Sequence, residues 1–303
     1  MIRQVDNILS LQRFTQRIGE KSKYLVQYSG EGLYHYTDLN ALISIISEHD
    51  LWLTNSIFSN DDNEMKHGYS IALEVIKKRE GRRQDLSTKR YYKKVEELLN
   101  GPSHGVYICC FCEQGNLLSQ WRGYGENGTG VSIGFESSGF TRFTGPDMPA
   151  DQFGLMRLWQ VYYDDDEKRE IVEAALDLIP EIHMGDPEQM IAEQAAAAIH
   201  FFLPTFKNRD FQEESERRLI FTPSKNCIVP PKYRYRKQML VPYYSLKSLM
   251  TAQNFTVDKL PVDDIIIGPG IRKDINRESI EMLLHHNGYI DVNVTVSDTP
   301  YRG

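Results

Sequence analysis

The sequence contains no apolar run that approaches the roughly 20 residues needed for a membrane-spanning helix. Its first residues, MIRQVDNILSLQRF, lack the basic start, apolar centre and small-residue cleavage site of a secretory signal. The phosphate-loop pattern GxxxxGK[ST] does not occur either. These absences predict a cytoplasmic protein that makes no use of a membrane and does not bind nucleotides through a P-loop.

Cysteines and basic charge are also scarce. Three of the four cysteines crowd the segment GVYICCFC, and there is no second cluster that would complete a zinc site. We therefore expect reduced, buried thiols and no metal. The net charge of −7 argues against broad, non-specific binding of nucleic acid, although it leaves room for a local basic groove.

The composition is that of an ordinary soluble globular protein, with 41% hydrophobic and 25% charged residues in a chain of 303. Predicted strands and helices interleave irregularly rather than as βαβ repeats, which favours the α+β class with mixed, mostly antiparallel sheets. We expect an N-terminal helix or arm over 1–28. A single α+β domain over 29–303 would follow, with a helical insertion near 167–203.

The segment LYHYTDLNALISIISEHDLWLTNSIFSNDDNE predicts a strand, a helix, a second strand and an acidic loop. His35, Tyr36 and Thr37 end the first strand, and Asn60 and Asp61 lie in the loop. A polar triplet at a strand end, next to a helix start, is a common place to bind a small ligand. The alternative is a core histidine whose hydrogen bonds are satisfied, beside a loop that only caps a helix.

The segment FQEESERRL places Glu214, Glu216 and Arg218 on one face of a predicted strand. Neighbouring carboxylates raise each other's pKa, whereas an adjacent guanidinium lowers it. Such a set suits a site that binds a sugar hydroxyl and stabilises developing positive charge. A solvated, charge-rich strand explains the pattern equally simply.

The glycine-rich loop LLSQWRGYGENGTG contains Trp121, Arg122 and Tyr124. Flat aromatic side chains can cover a ligand ring, and an arginine can bind a phosphate through two hydrogen bonds. A second basic and aromatic segment, KYRYRK at 232–237, fits either a strand that follows a nucleic-acid backbone or, more commonly, a solvated hairpin edge.

Taken in order, these blocks resemble a large bacterial family of unknown function. The matching blocks are LYHYT, SNDxxE, LLSQWRxYG with VSIGF, EExExRL, IGP and PYR, which together span most of the chain. One departure is Arg217, where that family usually has tryptophan. More remotely, the first block is similar to the opening of ADP-ribosyltransferases of the DNA-modifying toxin type, whose fold has a split sheet.

This remote resemblance implies an enzyme that uses NAD as cofactor. His35 would bind the adenosine ribose, and Glu216, assisted by Glu214, would organise the nicotinamide ribose for attack. The residue packed near nicotinamide would be Tyr124, Ser132 or Tyr163. The further cofactor-binding residues are expected to be Tyr36, Thr37, Asn60, Asp61, Trp121, Arg122 and Arg218.

The implied function is transfer of ADP-ribose by a toxin or anti-phage effector, with NAD as one partner and a nucleic acid or protein as acceptor. Two other functions remain open. One is an NAD or nucleotide glycohydrolase, or a nuclease, that uses the same pocket. The other is a sensor that binds a nucleotide without catalysis.

Overall fold

The computed structural model describes residues 32–58, 62–82, 85–101, 105–141, 152–177, 187–236, 238–256, 258–270 and 273–300. The predicted N-terminal arm over 1–28 lies outside these residues. So do Asn60, Asp61 and the last two residues of the PYR block, Tyr301 and Arg302.

A ten-stranded, mostly antiparallel sheet forms the centre of the fold, and only β9 and β10 pair in parallel. The α+β class predicted from the sequence is confirmed. The strands are β1 (Leu33–Thr37), β2 (Trp52–Asn55), β3 (Tyr107–Cys112), β4 (Val131–Phe135), β5 (Gly154–Gln160), β6 (Glu216–Pro223), β7 (Lys232–Arg236), β8 (Met239–Ser245), β9 (Val262–Ile267) and β10 (Asn293–Val296).

Nine α-helices lie among the described residues. They are α1 (Leu39–Glu48), α2 (Asp62–Gly81), α3 (Leu86–Leu99), α4 (Leu118–Gly123), α5 (Ser138–Thr141), α6 (Asp165–Leu176), α7 (Pro187–Phe202), α8 (Leu246–Thr251) and α9 (Lys273–His286). Helices α6 and α7 lie in the segment predicted as a helical insertion. None of these helices is both long and apolar enough to cross a membrane.

The strand–helix–strand unit predicted for the first block is confirmed as β1, α1 and β2. The Asp38 side chain accepts a hydrogen bond from the backbone N–H of Ala41 and so caps α1. Leu42, Ile45 and Ile46 form the buried stripe of the helix. The aspartate and the helical spacing of the apolar residues together explain why the chain leaves β1 as a helix and returns as β2.

The sheet opens at β3. One edge of β3 pairs with β6 along its whole length. The opposite edge meets β1 only at Cys112 and β2 only at Tyr107 and Ile108. Between these contacts, Cys109 and Cys110 have no strand partner on that edge. Strands β1 and β2 therefore diverge and leave a gap above the middle of β3.

Two apolar cores cover the two faces of the sheet. Helix α1 packs on one face, where its stripe contacts β1, β3 and β4 in the larger core. The helices α2, α3, α6 and α7 pack on the other face, over β5 and the far end of β6. All four cysteines are free, with Cys109 and Cys112 buried as expected.

Two local predictions are wrong. Glu214 ends a 3-10 helix (Arg209–Glu214), and β6 begins only at Glu216, because Ser215 takes a left-handed conformation with φ 41°. The predicted glycine-rich loop LLSQWRGYGENGTG contains the short helix α4.

Candidate functional site

A cavity of about 780 Å³ occupies the gap between β1 and β2. Ligand pockets in proteins commonly have volumes of roughly 300–1,000 Å³. The cavity gathers residues from distant parts of the sequence. Those predicted as site residues that line it are His35, Tyr36, Thr37, Arg122, Tyr124, Glu214, Glu216 and Arg218.

His35 bridges the opened edge of the sheet. Its Nδ1 lies 2.8 Å from the carbonyl oxygen of Cys110, a backbone group that β1 and β2 leave unpaired. A carbonyl can only accept a hydrogen bond, so the neutral ring carries its proton on Nδ1 and accepts through Nε2. Burial, the largest influence, and the charge of Arg234 lower the pKa of His35. The imidazole is therefore neutral at pH 7.

Cys110 also connects His35 to Glu216. Its carbonyl contacts the imidazole, and its thiol lies close enough to Glu216 to help lower the pKa of that carboxylate. In the β3–β6 pair, Glu216 lies opposite Cys112 and Arg218 lies opposite Cys110. The Glu216 carboxylate and the thiols of Cys110 and Cys112 therefore lie on one face of the sheet. The two residues predicted to carry catalysis thus lie on either side of a single residue of β3.

Glu216 belongs to a buried ion cluster, which we define as Lys207, Glu214, Glu216 and Arg218. Arg218 donates to both carboxylate oxygens of Glu216, from Nε at 2.7 Å and from Nη2 at 2.8 Å. Lys207 Nζ lies between the carboxylates, 2.6 Å from Glu214 Oε2 and 3.1 Å from Glu216 Oε2. The formal charges of this ion cluster sum to zero, which allows all four groups to be buried together.

The ion cluster keeps Glu216 ionised. Burial is the largest single influence and disfavours the charged carboxylate, but Arg218 and Lys207 together outweigh it and lower the pKa of Glu216 to about 2. A carboxylate of such low pKa is a poor general base at neutral pH, because proton transfer is most efficient near the operating pH. It can act as a fixed negative charge.

Tyr124 lines the cavity close to the ion cluster. Burial raises the pKa of its hydroxyl, and the charges of Lys207, Glu214 and Glu216 act on it as well. The next two residues after Gly125, Glu126 and Asn127, have φ of 50° and 52° and form part of the cavity rim. A left-handed conformation at non-glycine residues carries strain, which is commonly retained at binding sites.

Gly130 fixes how closely this loop approaches β1. A Cβ atom at residue 130 would lie 2.2 Å from the carbonyl oxygen of Thr37, which is far inside van der Waals contact. The IGP block meets the same loop, because Gly268 N donates to Gly130 O at 2.9 Å. Glycine is therefore required where the loop crosses the end of the predicted ligand-binding strand.

Two residues predicted to contact the cofactor are buried away from the cavity. Trp121 is fully buried, packs edge-on against Tyr36 with ring centroids 4.8 Å apart, and donates from Nε1 to Asn116 Oδ1. Ser132 is fully buried in β4 opposite Tyr36. Neither residue lines the cavity. Local sequence does not show whether a strand or loop residue faces a cavity or the core. It therefore could not distinguish these two residues from those that line the cavity.

Tyr36 and Tyr163 have structural hydrogen bonds. Tyr36 lines the cavity, but its hydroxyl donates to Gln114 O at 2.7 Å and accepts from Leu117 N at 2.9 Å. The Tyr163 hydroxyl accepts from the backbone N–H of Glu216 at 2.9 Å and lies behind the ion cluster. Of the three candidates for the nicotinamide contact, only Tyr124 lines the cavity.

Two short patterns in this region match motifs of other enzyme classes without the required context. Residues 123–128 read GYGENG, yet they follow a short helix and precede a strand, the reverse of a dinucleotide-binding turn. Residues 130–134 read GVSIG, but Ser132 is buried within β4 and is not exposed at a strand-to-helix turn. No group of three or more His, Cys, Asp or Glu residues in the described part of the chain could hold a metal ion.

The opposite wall of the cavity carries cations that the sequence did not single out as site residues. Arg234 on β7 extends over β8 and donates from Nη2 to Thr54 Oγ1 at 2.8 Å. Its guanidinium lies over the Trp52 ring, 5.3 Å from the centroid, and Arg236 lines the cavity beside it. The KYRYR strand is a hairpin edge whose arginines face the cavity, while Tyr233 and Tyr235 are exposed.

Comparison with known proteins identifies one family. Residues 120–219 match a family described as protein of unknown function (DUF2971). The match covers about a third of the chain, from α4 to the middle of β6, and includes the wall formed by Tyr124 and the ion cluster. No curated protein and no solved structure matches the chain.

Lys207 and Arg234 are the functional candidates that local sequence reasoning missed. Lys207 follows the apolar segment FFLPTF as a single charge, without a motif around it. Its burial, at 2% exposure, is the unusual feature, since lysine is almost never fully buried unless it is paired. For Arg234, the alternation of basic and aromatic residues was the available signal.

Proposed function

We propose that this protein is an NAD-dependent enzyme of the ADP-ribosyltransferase type, with NAD bound in the gap between β1 and β2. One observation carries the proposal: His35 and Glu216 converge on Cys110 at the point where the sheet opens. The remote resemblance to ADP-ribosyltransferases implies this combination of a split sheet, a histidine on the first strand and a glutamate on a later one.

The ion cluster fits the charge requirements of the reaction. Cleavage of the bond between nicotinamide and ribose passes through an oxocarbenium-like state, in which positive charge develops on the sugar. Glu216 is held ionised and immobile by Arg218, so it offers a preorganised negative charge without a proton-transfer step. We assign to Glu216 the stabilisation of this charge.

Glu214 takes an assisting role in the proposal. Its side chain is 12% exposed and accepts from Lys207 at 2.6 Å, at the end of the 3-10 helix rather than inside β6. This position lets Glu214 contact a ribose hydroxyl or the attacking group while Lys207 fixes its orientation. In this proposal Glu216 stabilises the developing charge and Glu214 assists, which are the roles that the sequence resemblance implies.

His35 and Tyr124 complete the proposed NAD site. The accepting Nε2 of a neutral imidazole can bind a ribose hydroxyl, which is the role the resemblance implies for His35. The Tyr124 ring, 40% exposed at the cavity mouth, can cover the nicotinamide while it leaves. Arg122, on α4 at the same wall, is the basic residue nearest in sequence to this ring.

The biological role proposed is that of a toxin or anti-phage effector that modifies nucleic acid or protein. Hydrolysis of NAD uses the same residues, with water in place of the acceptor. The two activities differ only in whether the ADP-ribosyl group leaves the site attached to a macromolecule.

The test is to incubate the purified protein with NAD labelled in the adenylate half, alone and with cell lysate as acceptor. Transfer predicts nicotinamide release together with label in a protein or nucleic-acid fraction, whereas hydrolysis predicts free ADP-ribose. The matched variant Glu214→Gln keeps size and should slow both. Intact NAD under every condition, from a protein whose fold is verified by circular dichroism, contradicts the proposal.

A further inference from the structure

Arg234 is a partly buried cation without a counter-charge. Among the residues that the structure describes, no carboxylate lies within salt-bridge distance of its guanidinium, which contacts Thr54 and the Trp52 ring instead. A partly buried charge without a counter-charge is costly, and an anion bound in the cavity offsets this cost.

The residues around Arg234 also favour the binding of an anion. Arg236, two residues along the same strand, also lines the cavity, so a second positive charge adds to the first. Asp50, which also lines the cavity, accepts from the backbone N–H of Lys247 at 2.8 Å. The side chains of Arg234 and Arg236 therefore bring two positive charges to this wall, and Arg234 makes no ion pair with a described carboxylate.

We propose that Arg234, supported by Arg236, binds a phosphate or diphosphate group of the ligand. This inference deepens the proposed function, on which the identity of the ligand as a dinucleotide rests. Thr54 accepts from one of the five N–H donors of the planar guanidinium, and two of the other four can bind the two oxygens of a phosphate. The contact with the Trp52 ring, 5.3 Å from its centroid, restricts the position of the guanidinium.

The position of the anion site also sets the size of the ligand. Glu216 and Arg218 of the ion cluster lie on β6 and Arg234 lies on β7, and the gap above Cys109 and Cys110 separates them. A ligand that reaches both walls needs a sugar at one end and an anionic group some distance along the molecule. A diphosphate-linked dinucleotide meets this requirement, whereas a mononucleoside reaches only one wall.

The experiment is a calorimetric titration of the full chain with ADP-ribose, inorganic pyrophosphate and adenosine. The variants are Arg234→Met, Arg234→Lys and the control Arg277→Met. Arg277 has the same charge but lies on α9, paired with Glu281 at the surface. Charged hydrogen bonds contribute about 1.5–3 kcal/mol each, so Arg234→Met should weaken ADP-ribose and pyrophosphate roughly 10- to 100-fold. Adenosine binding should not change.

Arg234→Lys keeps the charge but loses the planar fork, so its affinity for pyrophosphate should fall between those of wild type and Arg234→Met. The Arg277→Met control should match wild type. Equal affinity of wild type and Arg234→Met for ADP-ribose overturns the inference. So does an Arg277→Met variant that is weakened as much as Arg234→Met, because net charge alone would then explain the loss.

The inference and the proposed function can fail separately. If the protein binds pyrophosphate through Arg234 but never cleaves NAD, the anion site is supported and the proposed transferase activity is ruled out. Cleavage of NAD with a KM unaffected by Arg234→Met keeps the activity and removes the anion site. A wild-type protein that binds none of the phosphorylated ligands at millimolar concentration contradicts both.

Discussion

The two walls of the cavity differ in how their charged side chains are paired. On the β6 wall, two carboxylates and two cations neutralise one another, and Arg218 makes a bidentate pair with Glu216. On the β7 wall, Arg234 and Arg236 point into the cavity, and Arg234 contacts a hydroxyl and an aromatic ring instead of a carboxylate. The charges of the first wall are paired within the protein, whereas Arg234 on the second wall has no carboxylate partner among the described residues.

This difference predicts where loss of a cation lowers the free energy of unfolding and where it weakens only the binding of a ligand. A buried charge with all its partners present contributes to the free energy of unfolding, and removal of one partner leaves the others unpaired. A charge that awaits a ligand stabilises little in the free protein. Substitution of the arginine on each wall should therefore separate stability from binding.

The largest effect concerns activity. Glu216→Gln should lower the rate of NAD cleavage roughly 10²–10⁴-fold, equivalent to about 3–5 kcal/mol, because the amide cannot supply the fixed negative charge. Glu214→Gln should have a smaller effect, since Glu214 assists. Initial rates of nicotinamide release measure both. Full activity of Glu216→Gln would show that the ion cluster serves only the fold.

The buried position of Glu216 means that its substitution also affects stability. The Glu216→Gln substitution leaves Arg218 and Lys207 with one carboxylate fewer. Rates must therefore be measured below the melting temperature of each variant, with circular dichroism as the folding control.

The next effect concerns stability and compares the two walls directly. Arg218→Ala should lower the free energy of unfolding by about 3–5 kcal/mol, because it leaves Glu216 buried with half of its counter-charge. Arg234→Met should change it by no more than about 1 kcal/mol. Urea denaturation of both variants beside wild type measures the contrast. Equal losses at the two sites would contradict the distinction between the walls.

Stability should depend on pH through Glu216. Its pKa is lowered from 4.5 to about 2 in the folded protein, so its contribution is fully present above pH 4.5 and is lost as the pH falls toward 2. The shift corresponds to about 3 kcal/mol. Denaturation of wild type at a series of pH values between 7 and 2 should reveal this loss. In Arg218→Ala the dependence should be weaker, and an unchanged slope would contradict the assignment.

The smallest effect is stabilisation by ligand. NAD at 100 times its Kd should raise the free energy of unfolding by about 2.7 kcal/mol and the Tm by roughly 5 °C. The increase should be smaller for Arg234→Met at the same NAD concentration. A flat thermal titration of wild type to millimolar NAD would count against a cofactor site.

Sequence patterns predicted much of this arrangement where the signal was local. The alternation in LYHYT, the cap at Asp38 and the spacing of Leu42, Ile45 and Ile46 predict β1 and α1 because each depends on neighbours within one turn. The same holds for β4 and β9, which are short β-branched segments bounded by glycine or proline. Their existence and type follow from periodicity alone.

Other features depend on contacts that no local pattern encodes. The gap above Cys110 arises because β1 and β2 pair with opposite ends of β3, which lie 78 residues from Tyr34 and 52 residues from Asn55 along the chain. The contact between Arg234 and Thr54 spans 180 residues. The left-handed Ser215 removes Glu214 from the strand predicted to hold it. Tertiary contacts set these positions, and they also place Trp121 in the core rather than at the cavity predicted for it.

The most direct test of the account is a crystal structure of the protein soaked with ADP-ribose, the product that remains after nicotinamide leaves. The account predicts that the diphosphate contacts Arg234 and that the ribose freed of nicotinamide lies beside Glu214 and Glu216, with His35 at the adenosine ribose. Density for the ligand on another surface, or a cavity without ligand at a concentration that saturates binding in solution, would contradict the assignment of this gap as the NAD site.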